Sequence, residues 1–189
     1  MSLFFQDSHT KQIYRLNRIK TLKVKKVNLS IRIAICALIA STYSVLTAIL
    51  GPLGYSWLQI RIAEALTPLP FLMGFPAVIG LTIGCVVANI FSPVGIPDMI
   101  FGPLLTLFAA LLSWKCNLKR MLVACAYPII INAIGVSAYI YSFYNVPYIM
   151  SVFSIAAGEF ITVVFVGYPT MRILAKSKHL AKFFEETRS

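Results

Sequence analysis

Histidine and acid are scarce in this chain. Its 189 residues include two histidines and six Asp and Glu together, against 17 Lys and Arg. Both histidines, His9 and His179, lie in the flanking arms, and the apolar stretches 33–114 and 121–171 contain no lysine. Those stretches therefore lack a histidine base, a histidine metal ligand and a lysine nucleophile, which argues against an intramembrane hydrolase. No Gly-x-x-x-x-Gly-Lys occurs, so the chain carries no P-loop and is not expected to hydrolyse ATP. The cysteines, Cys36, Cys85, Cys116 and Cys125, form no Cys-x-x-Cys and have no histidine nearby. They read as small apolar helix residues rather than as metal ligands or a disulfide framework. Neither a catalytic site, a metal site nor a cofactor is expected.

What the chain has in abundance is apolar sequence. It is 59% hydrophobic with a mean hydropathy of +0.82, above the usual half of a soluble domain. The apolar runs are continuous rather than alternating, which fits helical spans of about 20 residues and not β-barrel strands. The fold class expected is an all-α integral membrane bundle. The first long apolar run begins after residue 26 and is long enough to span, so the N-terminus does not read as a cleavable signal peptide.

The net charge of +11 is distributed in clusters. Eight basic residues fall between Lys11 and Arg32, three between Lys115 and Arg120, and five between Arg172 and Arg188. Basic residues gathered at helix flanks follow the positive-inside rule and meet anionic lipid headgroups. With little aromatic interleaving, they do not suggest nucleic acid.

Three regions follow. Residues 1–26 form a basic cytoplasmic arm, either an interfacial helix or a disordered tail. Residues 27–175 form the membrane domain, and residues 176–189 a basic cytoplasmic tail. Within the domain, helix 1 runs from Val27 to Leu50 and is expected to end at Gly51-Pro52-Leu53-Gly54. The segment 59–90 is interrupted by Pro68, Pro70, Gly74 and Pro76. If it turns at Gly74-Phe75-Pro76, every basic cluster falls on one side of the membrane. This parity gives six transmembrane helices, at about 27–50, 60–73, 77–91, 97–114, 121–143 and 148–175, with both termini cytoplasmic.

The stretch Tyr55 to Pro70 stands out, because it places Trp57, Gln59, Arg61 and Glu64 inside apolar sequence. A charge in hydrocarbon costs on the order of 2.5–3.5 kcal/mol on insertion scales, so such residues face protein or a wet cavity. Further polar residues in the spans are Asn89, Asp98, Asn132 and Glu159. Together they describe a pocket open to the outside and closed below. Rings for stacking, with carboxylates and amides, suit a flat heteroaromatic ligand rich in donors and acceptors. Five of them have a structural alternative. Arg61 and Glu64, three apart, could pair on one helix face. Asp98 could cap its helix. Asn89 and Asn132 could make interhelical hydrogen bonds.

Gln59-Ile-Arg-Ile-Ala-Glu-Ala-Leu-Thr-Pro-Leu-Pro-Phe71 resembles the long signature of the QueT family. Gly80-Leu-Thr-Ile-Gly-Cys-Val-Val-Ala-Asn-Ile-Phe-Ser-Pro-Val-Gly95, Asp98-Met-Ile-Phe-Gly102, Pro128-Ile-Ile-Ile-Asn-Ala133 and Gly158-Glu159 follow in order, so the likeness covers about residues 28–175. It implies a six-helix substrate-binding S-component of an energy-coupling factor (ECF) importer in a prokaryotic cell membrane. The substrate would be a queuosine precursor, a 7-deazaguanine such as preQ1, preQ0 or queuine. The implied partners are a transmembrane coupling subunit and two cytoplasmic ATPases. The small residues Ala37, Ala40, Ser41 and Ser44 resemble the face that docks on the coupling subunit. The family commonly carries an acid late in helix 5, where this chain has Tyr139. An S-component for another vitamin or flat metabolite, and a stand-alone small membrane carrier, are the rival readings.

Overall fold

The computed structural model describes residues 27–54, 61–118 and 120–188. Among them the architecture is helical throughout. In chain order it comprises α1 (Leu29–Gly54), a 3-10 turn (Ile62–Leu66), α2 (Pro70–Met73), α3 (Phe75–Asn89), α4 (Ile96–Lys115), α5 (Met121–Tyr144), α6 (Tyr148–Phe160), a π-helical stretch (Ile161–Gly167), α7 (Tyr168–Lys176) and α8 (Lys178–Arg188). Four segments are long and apolar enough to cross a membrane: Leu29–Ile49, Ile96–Lys115, Met121–Tyr144 and Tyr148–Lys176. Ile62–Met73 and Phe75–Asn89 are shorter apolar helices. Large apolar side chains such as Leu38, Ile49, Phe108, Ile130 and Phe165 point outward. In water that surface would be a liability; against lipid tails it is the expected one.

The helix boundaries mostly sit where glycine and proline put them. Gly74 adopts φ +73°, ending α2 and starting α3, and a Cβ there would run into the Arg188 backbone. Gly95, at φ +77°, precedes Ile96-Pro97 at the start of α4. One boundary differs from expectation: α1 continues through Gly51-Pro52 to Gly54 instead of stopping at residue 50. Pro52 has no N–H for the Ala48 carbonyl, so this last turn forgoes one helical bond. The region expected as a short second helix is broken further. Arg61 is extended (φ −98°, ψ 100°), a 3-10 turn follows, and Thr67–Leu69 form turns before α2.

Packing places α3 at the centre. α1 lies close along it because Gly80 and Gly84 carry no side chain. A Cβ on Gly80 would stand 2.8 Å from the Cys36 carbonyl, and one on Gly84 would stand 2.9 Å from the Ala40 carbonyl. Ser44 Oγ donates to the Gly84 carbonyl across the same contact (3.0 Å). The main core gathers Tyr43, Phe71, Val78, Leu81, Cys85 and Val163. A smaller one holds Ala133, Val136, Tyr139, Ile140 and Ile155. α4 and α5 are tied at Pro128, which supplies no N–H to the Ala124 carbonyl; Ser113 Oγ on α4 donates to that oxygen instead (2.9 Å).

The two ends of the bundle differ. At one, the start of α1 meets α8, with Val27 N–H donating to the Glu186 carbonyl at 3.5 Å. There the Arg188 guanidinium donates to the carbonyls of Phe71, Trp114 (2.6 Å) and Cys116 (3.1 Å). Burial lowers the pKa of Arg188, although arginine keeps its charge. Lys115, Arg120, Arg172 and Lys176 lie at the helix termini of this end. At the opposite end, the Tyr144 hydroxyl donates to the Val94 carbonyl, joining the end of α5 to the turn before α4. The basic clusters within the described residues therefore share one end, as charge parity required.

Candidate functional site

Polar side chains from five segments converge between the basic end and the Val94 end. The 3-10 turn brings Arg61 and Glu64, α3 brings Asn89, α4 brings Asp98, α5 brings Asn132 and Tyr139, and α6 brings Glu159. All are buried except Arg61, which keeps 14% of its side-chain surface exposed.

Asp98 is fully enclosed and saturated. Its Oδ2 faces Arg61 Nη2 at 3.3 Å and accepts from Ser92 Oγ at 2.5 Å. Its Oδ1 accepts from the Tyr139 hydroxyl at 2.5 Å. Asn89 Nδ2 reaches the Asp98 backbone carbonyl at 2.9 Å and Cys85 Sγ at 3.5 Å. Gly102 leaves room for this amide, since a Cβ there would collide with Asn89 Nδ2. Asp98 thus clamps three segments together rather than capping its own helix. Asn89 holds α3 to the start of α4, the interhelical bond that was its structural alternative to ligand contact.

Glu64 and Glu159 are bound differently. The Tyr43 hydroxyl on α1 donates to Glu64 Oε1 at 2.5 Å, and Asn132 Nδ2 donates to Glu159 Oε1 at 2.8 Å. The second oxygen of each carboxylate, Oε2, is buried with no hydrogen-bond partner. A buried acceptor left unsatisfied costs on the order of 1–3 kcal/mol, and more when charged. Glu64 and Glu159 line one small cavity with Arg61, Cys85, Gly102, Thr106, Asn132, Val136 and Ile155. At ≈ 20 Å³ it has room for about one water.

Two local irregularities aim these carboxylates. The 3-10 turn lets the chain pass from extended Arg61 to Glu64 within one tight turn, with Glu64 N–H donating to the Arg61 carbonyl (2.9 Å). Beyond Glu159, the π-helical stretch ends at Gly167, where a Cβ would sit 2.8 Å from the Ala65 carbonyl. The widened helix therefore packs directly on the backbone of the 3-10 turn. π-bulges of this kind recur at functional sites.

Of the residues singled out from sequence, Arg61, Glu64, Asn132 and Glu159 meet around the cavity, with Asp98 and Asn89 immediately behind. Trp57 and Gln59, with Tyr55, lie outside the described residues. The foreseen Arg61–Glu64 geometry gives way to Arg61–Asp98 and Tyr43–Glu64, because Arg61 is extended rather than helical. Sequence reasoning passed over Tyr43, Ser92, Cys85 and Thr106. Tyr43 is a lone polar tip in an apolar helix, which sequence alone reads as core. Of the four small residues of α1, Ala37 and Ser41 are exposed, while Ala40 and Ser44 turn toward Gly84 of α3.

A helical bundle with four membrane-length helices around a small buried polar cavity has the form of a polytopic membrane protein. The family model described as QueT transporter matches residues 33–176, and the chain belongs to that family. It is a transporter protein, and not an enzyme, on that ground. No curated protein and no solved structure matched the chain.

Proposed function

We propose that the chain is the substrate-binding S-component of an ECF importer, capturing a queuosine precursor of the 7-deazaguanine type (preQ1, preQ0 or queuine) from outside the cell. The observation that carries this reading is the pair of buried, half-satisfied carboxylates, Glu64 and Glu159, in one cavity of a QueT-family protein. A deazaguanine such as preQ1 offers N–H donors on its flat edge and on its substituent, which is what two acceptor-only oxygens lack. Glu159 and Asn132 read that edge. Arg61, Glu64 and Asp98 shape the mouth or contact the exocyclic group, and Trp57 or Tyr55 stacks on the ring, with Gln59 beside it. Asn89 sets the position of Asp98. A one-water cavity cannot hold a bicyclic base, so binding widens it.

In this reading the domain spans residues 27–175 as six transmembrane helices in a prokaryotic cell membrane. The basic end and both termini face the cytoplasm. Two cytoplasmic ATPases act through a transmembrane coupling subunit, which docks on α1 along Ala37, Ala40, Ser41 and Ser44, with Ala37 and Ser41 outermost. Small exposed residues at helical spacing permit close helix–helix approach within a membrane.

Thermal unfolding of the purified protein with preQ1, queuine and guanine tests the substrate. A ligand stabilises the state it binds by mass action, so a deazaguanine raises the midpoint in proportion to log concentration. Absence of any shift at saturation with all three would refute the assignment. Co-purification of a different flat metabolite, identified by mass spectrometry, would move the chain to another substrate class.

A further inference from the structure

The charges around the cavity do not balance. Between Arg32 and Arg172, outside the Lys115–Arg120 cluster, the sequence holds one cation, Arg61, and three acids, Glu64, Asp98 and Glu159. The undescribed stretch 55–60 contains no ionisable cation or acid to alter this count. Arg61 pairs with Asp98, whose two oxygens are also filled by Ser92 and Tyr139. Glu64 and Glu159 remain, each more than nine-tenths buried and each with an orphaned oxygen in the same cavity.

The two do not offer the same surface. Glu159 is paired with Asn132, so a ligand there meets an amide together with a carboxylate, a combination able to read a base edge that both donates and accepts. Glu64 is held by the Tyr43 hydroxyl, whose proton is already directed at Oε1. Its free side is acceptor alone. An acceptor-only, desolvated carboxylate that no amide side chain bonds among the described residues matches an ammonium, a compact charge with donors and no acceptor.

We propose that Glu64 is an ammonium subsite that makes this pocket selective for a cationic ligand, one whose flat ring carries a protonated amine on its substituent. This rests on the deazaguanine reading above. Among the precursors named there, preQ1 bears a protonated aminomethyl group at ring carbon 7, whereas preQ0 bears a neutral nitrile on the same ring. The ring edge is read by Glu159 and Asn132 in both; the amine is read by Glu64 in preQ1 alone. Tyr43 is the positioning residue that fixes which Glu64 oxygen remains available.

Calorimetric titration of the purified full chain with preQ1 and with preQ0 tests the proposal. Wild type is expected to bind preQ1 at least about tenfold more tightly, the order of one charge-assisted hydrogen bond. Glu64→Gln should erase the preference, bringing preQ1 affinity down to that of preQ0, with a cooperative thermal unfolding transition showing that the variant is folded. Equal wild-type affinities, or an undiminished preQ1 preference in Glu64→Gln, would overturn the subsite while leaving the substrate reading intact. If wild type binds neither compound, the substrate reading itself fails. The wild-type comparison needs no variant, so the proposal stays decidable even if Glu64→Gln does not fold.

Discussion

Tyr43, midway along α1, donates a 2.5 Å hydrogen bond to Glu64 Oε1 in the cavity wall. Tyr43 is 1% exposed, and its helix neighbours Ala40 and Ser44 press against Gly84 of α3. The bond therefore links the carboxylate that faces the cavity to the helix whose other side, at Ala37 and Ser41, faces outward. A hydrogen bond to a charged group contributes about 1.5–3 kcal/mol. Tyr43→Phe removes the donor without a large change in volume. The substitution should lower the unfolding midpoint and weaken preQ1 binding by roughly tenfold or more. Calorimetry and thermal unfolding on the same preparation measure both, and an unchanged affinity would show that Glu64 is held without Tyr43.

Glu159→Ala removes the orphaned oxygen and also strands the Asn132 amide. Ligand-dependent stabilisation should disappear. Asn132→Ala should weaken binding less severely, since Glu159 retains its charge. Equal ligand-induced shifts in wild type and Glu159→Ala would take Glu159 out of the site.

The close contact of α1 with α3 makes a different kind of prediction. In Gly84→Ala the new Cβ would stand 2.9 Å from the Ala40 carbonyl, and backbone cannot yield as a flexible side chain does. Small-to-large changes in packed interiors cost about 1–3 kcal/mol. The variant should lose thermal stability in detergent, and Gly80→Ala should behave alike, with 2.8 Å to the Cys36 carbonyl. Gly95→Ala is the informative contrast. Nothing lies within 4 Å of its Cβ, so any loss there reports the cost of φ +77° alone.

Much of this architecture was legible because glycine and proline mark helix ends by backbone chemistry. Gly74, Pro76, Gly95 and Pro97 delimit α3 and α4 close to where the sequence placed them. The buried charges were legible for a thermodynamic reason: Arg61, Glu64, Asp98 and Glu159 are too costly in hydrocarbon to be incidental. Partner choice was not legible. Arg61 and Glu64 read as a helical i, i+3 pair, but the proline-rich segment adopts extended and 3-10 conformations that send them to Asp98 and Tyr43. Tyr43 left no trace in the pattern, since a tyrosine in an apolar run can serve core or interface equally, and Tyr139 stood out only through the family resemblance. The π-helical stretch after Glu159 has no sequence signal either. Arg188, which sequence assigns to a solvated tail, turned out to cap two helix ends through Phe71, Trp114 and Cys116.

That last placement can be tested by proteolysis. α8 is held by the Arg188 guanidinium, by the buried Phe184 and Thr187, and by the Val27–Glu186 backbone contact. Arg188→Ala removes three donors from carbonyls at the ends of α2 and α4, where helices lack intrahelical partners. Local opening of a terminal element exposes its backbone to protease in proportion to the open population. Tryptic cleavage after Lys176 and Lys182 should therefore accelerate severalfold in Arg188→Ala. Ligand affinity should stay at the wild-type value, because α8 lies at the basic end, away from Asp98 and its turn. Arg188→Lys should only partly restore protection, since an ammonium cannot span three carbonyls as a planar guanidinium does. Cleavage at the wild-type rate in Arg188→Ala would mean that Phe184 and Thr187 suffice to hold the helix.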